Sequence, residues 1–254
     1  MVSPARRFQQ IHALTKIGRR YHSQNESDSR RFGNCKIVPS PPISAPLTSE
    51  RSMTPIVDVF FGVHGTRVSA DHGYALYGAV ARILETREDA WLHQLDEVGL
   101  HLVRGAYGPN GRLLLSTRAC FGLRLSAELI PKVLALAGKR LVIGGDSLLV
   151  GVPHVQALRP AAVLAARLVT TRNGQDEHRF DLEIAHQLGE LGITAPAIRG
   201  RRRVIRIKDK TVVGYGVRVE GLDDAESLRL QERGLGGRRK MGCGVFVPVG
   251  GSEK

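Results

Sequence analysis

The feature that most restricts how this chain can fold is an order of elements that occurs twice: strand, helix, strand, strand, helix, strand. Ile56–Val63 (IVDVFFGV) is an apolar, β-branched run that reads as a strand. Ser69 or Asp71 can then cap a helix reaching about Arg87, with Leu76, Val80, Ile83 and Leu84 on one face. Leu100–Tyr107 and Arg112–Ser116 are the next two strands, separated by Gly108-Pro109-Asn110-Gly111, and Asn-Gly between apolar runs is a strong hairpin signal. Ser126 caps a second helix over Ala127–Ala137, with Pro131 tolerable only near its first turn. Arg140–Val150 returns as a strand around Gly144-Gly145-Asp146.

The second half repeats the pattern. Val163–Thr171 reads as a strand, Asp176–Leu191 as a helix, Ala197–Lys208 and Thr211–Glu220 as a hairpin turned at Asp209-Lys210, Leu222–Gln231 as a short helix and Gly244–Val249 as a strand. The halves share this order without recognisable sequence identity. The expected fold is α+β, two tandem ferredoxin-like (βαββαβ, RRM-like) domains at 54–153 and 160–250, joined near Pro153–Pro160.

Charge divides the chain differently. The whole carries +13, and residues 1–52 hold nine Lys or Arg against three Asp or Glu, a net of +6, with no apolar period. Residues 1–53 therefore read as a disordered basic tail. Three accounts of it stand: a solvated arm, a segment resembling a mitochondrial transit peptide, or an over-extended reading frame that starts at Met53. Residues 53–198 hold 14 basic and 14 acidic side chains, whereas Arg199–Lys240 holds 13 and six, a net of +7. Charge gathered this way is the footprint of a polyanion partner. The best candidate for a membrane span, Leu141–Val152, is short of the roughly 18 apolar residues a bilayer requires and carries Asp146, so no membrane is expected. Cys35, Cys120 and Cys243 lie far apart, which argues against a disulfide scaffold or zinc site and for reducing cytoplasm.

The functional motif is Gly234-Leu235-Gly236-Gly237-Arg238-Arg239-Lys240-Met241-Gly242-Cys243-Gly244, between the last helix and the last strand. Glycines at this density permit positive φ and close backbone approach, and consecutive amides beside Arg238, Arg239 and Lys240 predict an anion-binding nest for a phosphodiester backbone. No Gly-Lys-Ser/Thr follows a strand, so a nucleotide-hydrolysing P-loop is excluded, and no GxSxG elbow supports acyl transfer. Arg199–Arg206 begins a strand that puts Arg202 and Arg206 on one face, Arg201 and Arg203 on the other, one of them gripping phosphate. With 5% aromatics and no RNP segment, base stacking on a sheet in the RRM manner is not expected.

Gly234–Pro248 (GLGGRRKMGCGVFVP), together with Ser69–Ala79 (SADHGYALYGA), resembles the Myxococcus-type (I-MYXAN) branch of the CRISPR-associated endoribonucleases that process precursor crRNA, within the RAMP superfamily. The resemblance covers about residues 54–248. It implies metal-independent cleavage of CRISPR repeat RNA, with no cofactor: the 2′-hydroxyl attacks the phosphate, leaving a cyclic phosphate on the upstream product and a 5′-hydroxyl. It also implies other subunits of a type I interference complex as partners. In that family a catalytic histidine sits at the start of the first helix, the place of His72, and it can serve as acid or base because its ordinary pKa is about 6.5. With Val80 as the centre of the apolar face, His72 lies about 80° away, Tyr74 about 120° and Tyr77 about 60°, so His72 is expected at the accessible flank and Tyr77 in the core, its hydroxyl at the rim. Tyr74 or Tyr77 would assist, and His64 at the end of the first strand is the rival histidine. The plain alternative for His72 is a structural ring bonded to its own backbone or to Asp71, and for the chain a non-catalytic RNA-binding subunit of a CRISPR ribonucleoprotein. The other seven histidines form no metal signature and read as structural.

Overall fold

The computed structural model describes residues 54–249 apart from residue 87. The expectations about the basic tail fall outside the described residues. The first half contains β1 (Ile56–His64), β2 (Arg67–Ser69), α1 (Gly73–Leu84), α2 (Trp91–Gln94), β3 (Gly99–His101), β4 (Ala106–Tyr107), β5 (Arg112–Leu114), β6 (Cys120–Ser126), α3 (Ile130–Val133, between two 3₁₀ turns), β7 (Arg140–Ile143) and β8 (Asp146–Ala157). The second contains β9 (Val163–Val169), α4 (Glu177–Glu190), β10 (Ala197–Ile207), β11 (Lys210–Glu220), α5 (Asp224–Arg233) and β12 (Val247–Pro248).

The main sheet of the first half has the order β3-β6-β1-β8-β7 and that of the second β10-β11-β9-β12. Reduced to four strands each, both follow the ferredoxin order, in which the first and third strands lie at the centre and every neighbour is antiparallel. The tandem ferredoxin-like architecture is thus the observed one. Within the first half, three details differ from the sequence expectation. The third ferredoxin strand is β6, paired with β1 from Ile56↔Ser126 to Gly62↔Cys120. The Asn-Gly hairpin does form, as β4 and β5 with Asn110 and Gly111 at positive φ, yet it joins β2 in a separate three-stranded sheet. The fourth strand, β8, pairs with β1 as far as Ala157, beyond Pro153.

Each half has its own apolar core. Phe61 stacks on Phe121 at 5.3 Å in the first, among Leu76, Val80 and Leu123; Phe180 tilts against Tyr215 at 4.7 Å in the second, among Ile184, Leu188 and Phe246. Burying side chains of this size contributes about 1.5–3 kcal/mol each. Local signals set the second-half helices: Asp176 caps α4 by accepting from the Arg179 amide, and Asp223 with Glu226 forms a capping box on α5.

A buried ion pair ties the halves. Arg124, on β6, is 1% exposed and donates from Nε and Nη2 to Asp58 of β1, each bond 2.8 Å long. Its Nη1 donates to the Gln231 carbonyl at the end of α5 and to the Phe246 carbonyl before β12, at 2.8 and 2.7 Å. Asp58 Oδ1 also accepts from His101 Nε2 at 2.9 Å. Burial holds the His101 imidazole below its ordinary pKa, so at neutral pH the ring is an uncharged donor.

Candidate active site

A cleft of about 310 Å³ lies where the start of α1, the β4 hairpin, the end of β9, the middle of β10 and the glycine-rich loop converge. Asp71, Tyr74, Tyr107, Arg167, Arg203 and Arg206 face it. The small sheet aims Tyr107: the β4–β5 pair sets Tyr107 opposite Leu113, and the hairpin tip is tied down by the Ala70 amide donating to the Gly111 carbonyl at 2.8 Å. Tyr107 is 68% exposed, and its phenol oxygen accepts from Arg167 Nη2 at 3.4 Å. The positive charge of Arg167, with its hydrogen bond and the nearby Arg203, draws the Tyr107 phenol below its ordinary pKa. Asp71 Oδ2 accepts from the Arg206 amide at 2.7 Å, which fastens β10 to the start of α1.

His72 is at the N-cap of α1 but fully buried, which corrects the accessible flank expected from the helix wheel. The Val103 amide donates to its Nε2 at 3.0 Å, so Nε2 is unprotonated and Nδ1–H donates to the Ser69 carbonyl at 2.8 Å. The chain after β3 lies over the ring, a placement that no helix period encodes. Burial pushes its pKa down, keeping the ring neutral. Neither Ser69 nor Asp71 caps the helix by a side-chain bond. Tyr77 is buried against His93, and burial with the Glu85 charge pushes its phenol up to about 12, so it stands apart from the cleft rather than at its rim. His64 is exposed at the end of β1 and lies outside the cleft lining.

The glycine-rich loop is built differently from an open nest. The amides of Gly236, Gly237 and Gly244 donate to Gln187 Oε1, the Thr170 carbonyl and the Leu168 carbonyl, and those of Met241, Gly242 and Cys243 turn back on Arg238 and Arg239. Gly234 and Gly244 both have positive φ, and a Cβ on Gly244 would strike the Leu235 carbonyl oxygen. The close approach serves packing: a Cβ on Gly73 would likewise strike the Met241 carbonyl, so the loop is pressed against the start of α1. Of the three cations, Arg239 is 7% exposed, donates to the Arg233 carbonyl at 2.6 Å, and is pulled down to about 10 by burial. Lys240 reaches the His93 carbonyl and Asp96. Arg238 alone of the three is exposed. Gly242 is the one sequence-selected glycine on the cleft wall.

In β10 the register places Arg202 opposite Tyr215, Arg206 opposite Thr211 and Arg203 opposite Gly214, so Arg202 and Arg206 share one face and Arg203 takes the other, with a bulge at Gly200-Arg201. The structure therefore brings Tyr74, Arg202, Arg203, Arg206 and Gly242 together and leaves His64, Tyr77, Arg201, Gly234, Gly236, Gly237, Arg238, Arg239, Lys240 and Gly244 off the lining. Tyr107 and Arg167 were missed, since both lie in the charge-neutral stretch. Their one signal was the Asn-Gly turn beside Tyr107.

Among known proteins, the family described as Cas6 Crispr matches residues 57–251. The CRISPR-associated endonuclease Cas6 of Myxococcus xanthus (strain DK1622) is 40% identical over 194 residues, 76% of this chain and 82% of that protein. Similar solved folds include a CRISPR associated protein Cas6 (TM-score 0.55, 15% identity, 77% of this chain and all of that one) and an RAMP protein binding different RNA substrates (TM-score 0.56, 14% identity, 76% and all). A Cas6-related protein from Pyrococcus furiosus is alike to the same degree (TM-score 0.55, 13% identity, 78% and all). With a sequence match across both ferredoxin-like halves and a relative of that identity, the chain belongs to the Cas6 family.

Proposed function

We propose that this protein is an endoribonuclease that cuts CRISPR repeat RNA in the cleft between its two halves, by attack of the 2′-hydroxyl on the adjacent phosphate and without a metal. The observation that carries the reading is the lining: Arg167, Arg202, Arg203 and Arg206 border a space whose one carboxylate, Asp71, has its Oδ2 already taken by the Arg206 amide. Such a wall attracts a phosphodiester and neutralises a charged phosphorane, whereas a magnesium site would need oxygen ligands. His72, bonded at both ring nitrogens, fits a positioning role: it ties Ser69 to Val103 and so holds the start of α1 against the cleft.

Incubation of the chain with a cognate repeat transcript in EDTA tests this. One cut is expected, with a cyclic phosphate upstream and a 5′-hydroxyl downstream, and 2′-deoxy substitution at the nucleotide before the cut should abolish it. Full activity on the deoxy substrate, or a strict requirement for added Mg²⁺, would refute the mechanism.

The engagement of both His72 nitrogens favours a second reading, an RNA-binding subunit that does not cut. It predicts tight, salt-dependent binding with no cyclic phosphate formed at any pH.

A further inference from the structure

We infer that Tyr107 is the general acid of the cleavage, its phenol passing a proton to the departing 5′-oxygen; the inference rests on the endoribonuclease reading above. Two-thirds of the residue is open to solvent, it projects from an anchored hairpin, and it lines both this cleft and the adjoining one bounded by Arg104 and His101. Tyr107 and its hydrogen-bond partner Arg167 are thus common to both clefts, with Leu102 and Gly242.

The surroundings suit the role. Arg167 Nη2 donates to the phenol oxygen and Arg203 stands close, so the phenolate left after proton transfer meets two guanidiniums. The same cations would bind the phosphate whose ester bond breaks, which puts the phenol beside the leaving oxygen. Tyr74 also lines the cleft, but among the described residues no arginine bonds its hydroxyl as Arg167 does that of Tyr107, and three further titratable groups near the cleft are less suited. His72 is buried with both nitrogens occupied, Tyr77 is buried with its pKa raised, and Asp71 is bonded to the β10 backbone. The arginine pair also draws the Tyr107 phenol down from its usual value, easing release of the proton.

The step balances. The 2′-oxygen forms a bond to phosphorus and loses its proton to water; the bond from phosphorus to the 5′-oxygen breaks, and that oxygen takes the Tyr107 proton. Solvent then reprotonates the phenolate.

The test compares single-turnover cutting of two repeat RNAs, one with the natural 5′-oxygen at the cut and one with sulfur in its place. A thiolate, with a pKa of about 8.5, leaves without a proton. Tyr107→Phe should cut the oxygen substrate about a hundredfold more slowly than the wild type, in the range of general acid catalysis, and the sulfur substrate within about threefold of it. His72→Ala should slow both substrates alike, as a positioning residue would. If Tyr107→Phe cuts the oxygen substrate at the wild-type rate, or slows both equally, the acid assignment is overturned while the endoribonuclease reading stands. A wild-type protein inert on every cognate repeat RNA overturns both.

Discussion

Replacing Arg124 by methionine removes the charge that joins the two halves while keeping most of the side-chain volume. The change abolishes two bonds to Asp58 and one each to the carbonyls of Gln231 and Phe246, and leaves Asp58 buried with His101 as its remaining partner. Stranding one member of a buried pair costs about 3–5 kcal/mol. With a urea slope of roughly 2–3 kcal/mol per molar for a protein of this size, the midpoint should fall by about 1–2 M at unchanged slope. The double variant Asp58→Leu/Arg124→Met strands no charge and should be less damaged than the two single losses added together. Burial alone would raise the Asp58 carboxyl, but hydrogen bonds from Arg124 and His101 outweigh it and hold the group at about 2, below its ordinary 3.8. A depressed carboxyl stabilises the fold above the unfolded value, so about 2 kcal/mol should be present above pH 4 and lost as pH falls from about 4 to 2. That loss should vanish in Asp58→Leu/Arg124→Met. An Arg124→Met protein less than about 1 kcal/mol below wild type, or strict additivity in the double variant, would refute the clamp.

His72 should make stability fall as pH drops below 6.5, because burial lowers its folded pKa and a proton on Nε2 would face the Val103 amide; urea unfolding of wild type and His72→Ala between pH 5 and 8 checks it. Gly244→Ala should cost about 2 kcal/mol or more, read as a drop in Tm, since the residue has φ of +66° and no room for a Cβ. Arg167→Ala and Arg203→Ala should each flatten the salt dependence of repeat-RNA binding by about 0.7 in slope, the share of one phosphate on a single strand, and an unchanged slope would remove that residue from the interface. Cys243, whose thiol burial raises to about 11, should resist alkylation in the folded protein and react once it is unfolded in urea.

The second half was legible almost element by element because its strands alternate and its helices carry cap residues such as Asp176 and Asp223. The first half misled at Cys120–Ser126. Its Phe121, Leu123 and Leu125 alternate with Gly122, Arg124 and Ser126, yet the strand lies between β3 and β1 and is buried on both faces, so Arg124 looks like a solvent residue until its partners are seen. The Asn-Gly turn was a sound signal for a hairpin and a poor one for which sheet the hairpin would join, since turn chemistry is local and sheet membership is not.

The candidate site divides along the same line. The order of elements, the glycine-rich loop, the basic β10 and the family were all written in contiguous residues, because periodicity, turn propensity and motif spacing act over a few positions. What only the tertiary structure decided was which of those residues reach one space. Met241 pressed on Gly73 and Asp71 bonded to Arg206 bring the two halves together, with His72 buried and the loop amides turned inward. The same folding sets Tyr107 of one half against Arg167 of the other, 60 residues apart. Burial and long-range pairing are properties of the packed chain, and they put His72 out of reach of solvent and an overlooked tyrosine, Tyr107, on the open lining of the cleft.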